Sequence, residues 1–204
     1  MDCQTNDQIW EHKKRILLEY EAGVDTYDRL YSDEQDKKYK RCSKHLDDLS
    51  GKTVLDCGCG TGTLIAQLSR QSGFFIGVDY SRAMLKLARK KNRSANNVDF
   101  VRADADNLPI KSASISQLLS FTMLGNMPKI ESTLLEFSRV VRESGQIVLS
   151  FSKKNIDVDE VLRHMKEASI LPCESIDDKD LKDWIVVGEK RTEGRPSSQC
   201  LCLP

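Results

Sequence analysis

The sequence predicts an α/β protein built on a largely parallel sheet with helices on both faces. Three observations carry this. From Gly51 onward, apolar runs of strand length alternate with amphipathic segments of helix length, the pattern of crossovers over a parallel sheet. The first junction is rich in glycine, at Gly58, Gly60 and Gly62. At or just beyond the ends of the first three apolar runs stand Asp56, Asp79 and Asp104.

The elements follow in order. Residues 8–49 read as two helical segments. Ile9, Ile16 and Tyr20 mark one face of the first, and Tyr39, Cys42, Leu46 and Leu49 mark the second. Between them AGVDTYDRLYSDEQ reads as a polar joint carrying Tyr27 and Tyr31. The strands are TVLDC, FFIGVD, VDFVRA, ISQLLSF and QIVLSF. A helix opens at Thr61 or Thr63, and Ser81 caps another with Met84, Leu87 and Ala88 inward. Ile130, Leu134, Phe137 and Val141 mark the next, and Val158, Val161, Leu162 and Met165 the last. SILPCESI and DWIVVGEK close the sheet as an edge hairpin. The reading is residues 1–50 as a helical cover, 51–190 as one core domain, and 191–204 (RTEGRPSSQCLCLP) as a disordered tail.

Composition bounds the function. With 204 residues, 39% hydrophobic and 30% charged, the chain has the makings of one globular domain that needs no disulfide or metal staple. No apolar run approaches the roughly 18 residues of a membrane span. The first twenty residues lack the apolar stretch of a secretory signal. Lys plus Arg and Asp plus Glu are both 31, which argues against a protein held to phosphate by bulk charge. Seven scattered cysteines with no C-x-x-C pair point to reduced thiols, a cytoplasmic location and no metal site. Cys57 and Cys59 have poor spacing for zinc.

The glycine loop D56-C57-G58-C59-G60-T61-G62 carries the chemistry. Glycines after a strand let backbone approach a ligand without a Cβ in the way, and the helix beyond presents free N–H groups. A Walker loop fails because Gly51-Lys52-Thr53 precedes the strand. The dinucleotide pattern G-x-G-x-x-G requires glycine at 63, which is Thr. Asp56 would oppose a pyrophosphate and suits a cationic ligand group; S-adenosylmethionine carries a protonated amine and a sulfonium. Asp79, 21 residues after Gly58, reads equally as an acceptor of two ribose hydroxyls and as an acid at a helix N-terminus. Tyr80 offers a ring to the adenosine. Asp104 can receive an adenine amino group with the Ala105 N–H facing the ring, or form an Asx turn before Pro109.

Taken in order, DCGCGTG, VDYS, ADADNLP, LLSFTMLGNMP and RVVRESGQIVLSF resemble the class I S-adenosylmethionine-dependent methyltransferases, most of all the ubiquinone and menaquinone branch. The resemblance covers about residues 51–190. It implies a Rossmann-like seven-stranded sheet of order 3-2-1-4-5-7-6 with the last strand antiparallel, and S-adenosyl-L-methionine as cofactor. Asp56, Gly58, Gly60 and Gly62 would surround the methionine moiety, Asp79 the ribose, Asp104 and Ala105 the adenine, and Phe121 the cofactor from the fourth strand. One departure matters. Ser120-Phe121-Thr122-Met123 stands where members that methylate adenine amines or glutamine amides carry Asn/Asp-Pro-Pro-Tyr/Phe, which speaks against those substrates.

The expected activity is methyl transfer to an acceptor, a small molecule ahead of RNA or protein. The alternative is a catalytically silent, cofactor-binding subunit of another methyltransferase; a nicotinamide oxidoreductase is disfavoured by Asp56 and Thr63. No general base is assigned to His12, His45 or His164. The basic residues of 82–93 and 37–44 read as solvated helix faces ahead of an RNA surface. Tyr27 and Tyr31 are the candidates for a lid over substrate and cofactor, whereas Tyr20 and Tyr39 are expected to pack their helices on the sheet.

Overall fold

The computed structural model describes residues 5–46 and 48–191, so the predicted disordered tail, apart from Arg191, lies outside the described residues. The first helix, α1 (Asn6–Gly23), starts with a capping box, Thr5 and Gln8 each satisfying the other's backbone N–H. It buries no residue completely. The second helix, α2 (Tyr27–Arg41), follows after three residues.

The polar joint shrinks to a short turn, and Tyr27 and Tyr31 lie in the first turns of α2. Of the residues taken to mark the second helix, only Tyr39 is inside it. Cys42, Leu46 and Leu49 are buried in the turns that lead to the sheet. The inward stripe of α2 contains Gln35 and the buried Lys38, so a search for apolar periodicity misplaces the helix.

The sheet strands are β1 (Thr53–Cys57), β2 (Phe74–Asp79), β3 (Val98–Arg102), β4 (Ile115–Phe121), β5 (Val141–Ser152), β6 (Ile170–Ile176) and β7 (Asp183–Lys190), in the order β3-β2-β1-β4-β5-β7-β6. β1 to β5 run parallel where they pair, and β7 is antiparallel to both β5 and β6. The order and the antiparallel last strand are as the resemblance implied. β5 is longer than QIVLSF, because it begins directly after the helix before it with a polar stretch that turns at Ser144 (φ +58°).

Between strands lie α3 (Thr63–Leu68), α4 (Arg82–Lys91), α5 (Ile130–Val140) and α6 (Val158–Glu167). Successive strand residues feed opposite faces. Leu55 and Leu118 pack with Phe137, Val161 and Met165 of α5 and α6, while Val54 and Leu119 pack with Leu64, Ile65 and Leu85 of α3 and α4. Ser81 caps α4 by accepting from the Met84 N–H at 3.2 Å. The cysteines Cys42, Cys57 and Cys59 are free. Cys173 is disulfide-bonded, so the expectation of reduced thiols throughout does not hold for it.

Candidate functional site

The carboxyl ends of β1 to β4 meet α1 and α2 around a cleft with two compartments. The first encloses about 820 Å³ counting its open mouth, within the range of small-ligand sites. Asp79, Tyr80, Asp104 and Ala105 line it from the sheet side, and Lys13, Ile16, Leu17 and Tyr20 line it from α1. The second is lined by Asp56, Thr61 and Thr63 below and by Asp28, Tyr31, Gln35 and Tyr39 of α2 above. Tyr27, Gly58, Gly60 and Phe121 belong to both and form a waist between them.

The structure therefore brings eight of the nine predicted cofactor residues to one cleft. Gly62 is the exception, lining neither compartment. It opens α3 at φ +71°, and a Cβ there would stand 2.9 Å from both Ala88 Cβ and Asn92 Nδ2. Its bareness lets α4 pack against the loop. Gly58 is required for a different reason. At φ +81° it lies under Met123, whose Cγ would be 2.8 Å from an added Cβ.

Asp56 is 4% exposed, and among the described residues no donor or cation reaches its carboxylate. Burial, with the Asp79 charge adding to it, pushes its pKa up to about 7. Asp79 accepts the N–H groups of Gly60 and Ser81, both at 2.8 Å. It thus joins the glycine loop to the start of α4, standing before that helix and lining the cleft. Burial raises its pKa, and these N–H groups oppose the rise. Tyr80 has the Arg102 guanidinium 5.8 Å from its ring centroid.

Several contributors were not visible in the sequence. The Lys13 ammonium donates to both oxygens of Asp104 (2.8 and 2.7 Å) and to Asp106 (2.6 Å), tying α1 across the first compartment. Tyr20 faces the cleft instead of the sheet, and its hydroxyl accepts from Asn126 Nδ2 at 2.9 Å. Tyr39 does pack on the sheet end, edge-on to Phe121 with centroids 5.1 Å apart. Tyr27 stands between Tyr20 (6.0 Å) and Tyr31 (4.9 Å), and burial raises its hydroxyl pKa. Tyr31 is 48% exposed and reaches only the second compartment. Asp28, Thr61 and Lys91 close the rim of that compartment, with Thr61 Oγ1 2.5 Å and Lys91 Nζ 2.8 Å from Asp28.

His12 comes to the cleft margin, with Nε2 3.0 Å from the Asn126 carbonyl oxygen. His45 pairs with Glu174 and with Gln146, away from the strand ends, and His164 pairs with Glu167 on the surface of α6. Lys38, read as solvated, is 2% exposed and bonded to Asp183 and Thr122. A signal for it existed: Tyr27, Tyr31, Gln35 and Lys38 recur at helical spacing along one stripe. No group of His, Cys, Asp and Glu able to hold a metal ion occurs among the described residues.

Known proteins share this fold. A family model described as a methyltransferase domain matches residues 54–145. A demethylmenaquinone methyltransferase of Staphylococcus saprophyticus is 36% identical over 129 residues, 60% of this chain and 55% of that protein. The chain thus spans little more than half the length of that relative. Among solved structures, magnesium protoporphyrin IX methyltransferase from Synechocystis PCC 6803, with bound S-adenosylmethionine, has a TM-score of 0.79 at 16% identity, covering 94% of this chain and all of that one. A methyltransferase from Haloferax volcanii, solved in complex with the Trm112 methyltransferase activator, has a TM-score of 0.69 at 19% identity, covering 85% and 98%. The chain has the Rossmann-like fold of these methyltransferase structures, and its residues 54–145 match the methyltransferase domain model.

Proposed function

We propose that this protein binds S-adenosyl-L-methionine in the two-compartment cleft and transfers its methyl group to a small acceptor. The observation that carries the reading is the buried Asp56 carboxylate, which no donor among the described residues satisfies and which faces a compartment floored by bare glycine backbone. A Cβ on Gly60 would project into that space with only Tyr27 near it, at 3.8 Å. A ligand amine placed there relieves the unpaired carboxylate, whose burial is otherwise costly. In this reading the adenosine lies in the first compartment, with Asp79 at the ribose, Tyr80 beside it, and Asp104 and Ala105 at the adenine. The amino-acid end lies on Asp56, Gly58 and Gly60, and Phe121 walls the waist. Gly62 supports the loop from behind.

When bound, the cofactor supplies an electrophilic methyl group. The chain's own residues then align and shield it. Ile16, Leu17 and Met127 give the acceptor side an apolar lining, and Tyr20 and Asn126 provide its polar groups. Lys13, the single lysine among the described residues that line the first compartment, sits at the Asp104 end and is already held by two carboxylates. This favours a small, largely apolar acceptor over RNA or an anionic ligand. Tyr27 and Tyr31 on α2 act as the lid that keeps water from the waist. We assign no general base. The division into a helical cover, a core and a tail belongs to the same reading, as does a cytoplasmic location; no described helix is long and apolar enough to cross a membrane.

A second reading is a cofactor-binding subunit that works with another chain. The neighbour solved with a methyltransferase activator favours it. Transfer of labelled methyl from S-adenosylmethionine into fractionated extract separates the two. Label in the extractable metabolite fraction supports the first. Label in RNA or protein overturns the small-molecule acceptor, and no label in any fraction supports the second.

A further inference from the structure

Three elements converge on the first residue after β4. The Lys38 ammonium, carried by α2, lies 2.6 Å from Asp183 Oδ2 and donates to Thr122 Oγ1 at 2.8 Å. Asp183, the first residue of β7, also accepts from the hydroxyls of Ser150 (3.1 Å) and Thr122 (3.2 Å). The Thr122 N–H in turn donates to both the carbonyl oxygen (2.9 Å) and the Oγ (3.0 Å) of Ser150 on β5. Lys38, Asp183 and Ser150 are all at most 3% exposed.

The residue they hold is unusual. Thr122 is β-branched and sits at φ +63°, a left-handed conformation such residues seldom adopt. It persists where the surroundings over-determine it, and such residues cluster at functional sites. The consequence is visible next door. The chain bends at Thr122, and Phe121, Thr122 and Met123 all line the first compartment, with Met123 over Gly58. A buried ion pair is a poor stabiliser compared with apolar side chains of the same volume. What this pair adds is a single arrangement in which all its bonds are made.

We propose that Lys38 and Asp183 are positioning residues for methyl transfer: acting through Thr122, they fix the wall of the cleft at its waist, where the transferring group lies. The proposal rests on the cofactor reading above. It also couples α2, which carries Tyr27, to the end of β4, so that the cover and the wall share one anchor.

Two ligands separate positioning from simple support. S-adenosylhomocysteine lacks the transferring methyl, and sinefungin carries an amine-bearing carbon in its place. Lys38→Met with Asp183→Leu removes both charges together and leaves neither unpaired. Calorimetry on this variant is expected to give S-adenosylhomocysteine affinity within about two-fold of the wild type and sinefungin affinity lower by about ten-fold. Thr122→Gly tolerates the left-handed backbone but deletes the hydroxyl; it is expected to show the same selective loss, and it decides the matter if the double variant does not fold. Equal changes for the two ligands, or no change for either, overturn the positioning role alone. A wild-type protein that binds neither ligand overturns the cofactor reading on which it stands.

Discussion

Replacing Asp56 by Asn tests the electrostatics of the cleft. The Asp56 carboxyl titrates near pH 7 because burial and the neighbouring Asp79 disfavour its charge. A cationic amine binds the ionised form, so binding below pH 7 must expel a proton. With a pKa of about 7, roughly one molecule in eleven is ionised at pH 6 and roughly ten in eleven at pH 8. The affinity for S-adenosylhomocysteine should therefore rise about ten-fold between these pH values, about 1.4 kcal/mol. Asp56→Asn should weaken binding at pH 8 and flatten most of the profile. The free protein should move the other way. Between about pH 4 and 7 the folded chain keeps a proton that the unfolded chain releases, so stability falls as pH rises, by up to about 4 kcal/mol. Titration calorimetry in two buffers of different ionisation enthalpy, with thermal melts from pH 5 to 8, measures both. A flat wild-type binding profile, or a pH-dependent one that survives Asp56→Asn intact, refutes the reasoning.

Asp79→Ala should weaken cofactor binding ten-fold or more, through the loss of two charge-assisted hydrogen bonds to ribose. It also strips the Gly60 and Ser81 N–H groups of their acceptor, at about 1–3 kcal/mol, so melting should drop by several degrees; an unchanged melt contradicts this, and unchanged affinity leaves only the helix-terminal role. Lys13→Met leaves Asp104 and Asp106 without their shared cation, and faster amide exchange across Asn6–Gly23 is the expected result, with no acceleration counting against the tether. Tyr27→Ala with Tyr31→Ala should lower turnover more than thermal stability, and exchange over residues 20–39 should slow when S-adenosylhomocysteine binds. Equal exchange in both states removes the lid.

The core was legible from sequence because its physics is local. β2 and β4 occupy the residues their apolar runs marked, and Ser81 is the cap its type suggests. The cleft-lining residues were legible because their spacing places aspartates and glycines at successive strand ends. The cover was harder to read. α1 and α2 turn polar side chains inward, and Lys13 and Lys38 look like surface lysines until their partners, more than 80 positions away in the chain, are brought to them. Tyr20 was assigned to packing because its helix face gives no sign of the cleft above which it folds. The left-handed turn at Thr122 had no signal at all, since it is imposed by Ser150, Asp183 and Lys38 and not by its own residue type.

The central claim is that the cleft is built for S-adenosylmethionine and not for a dinucleotide, and calorimetry with S-adenosylhomocysteine and NAD on the wild-type chain tests it most directly. Micromolar binding of S-adenosylhomocysteine with negligible binding of NAD is the predicted result; comparable binding of NAD, or none of S-adenosylhomocysteine, contradicts it.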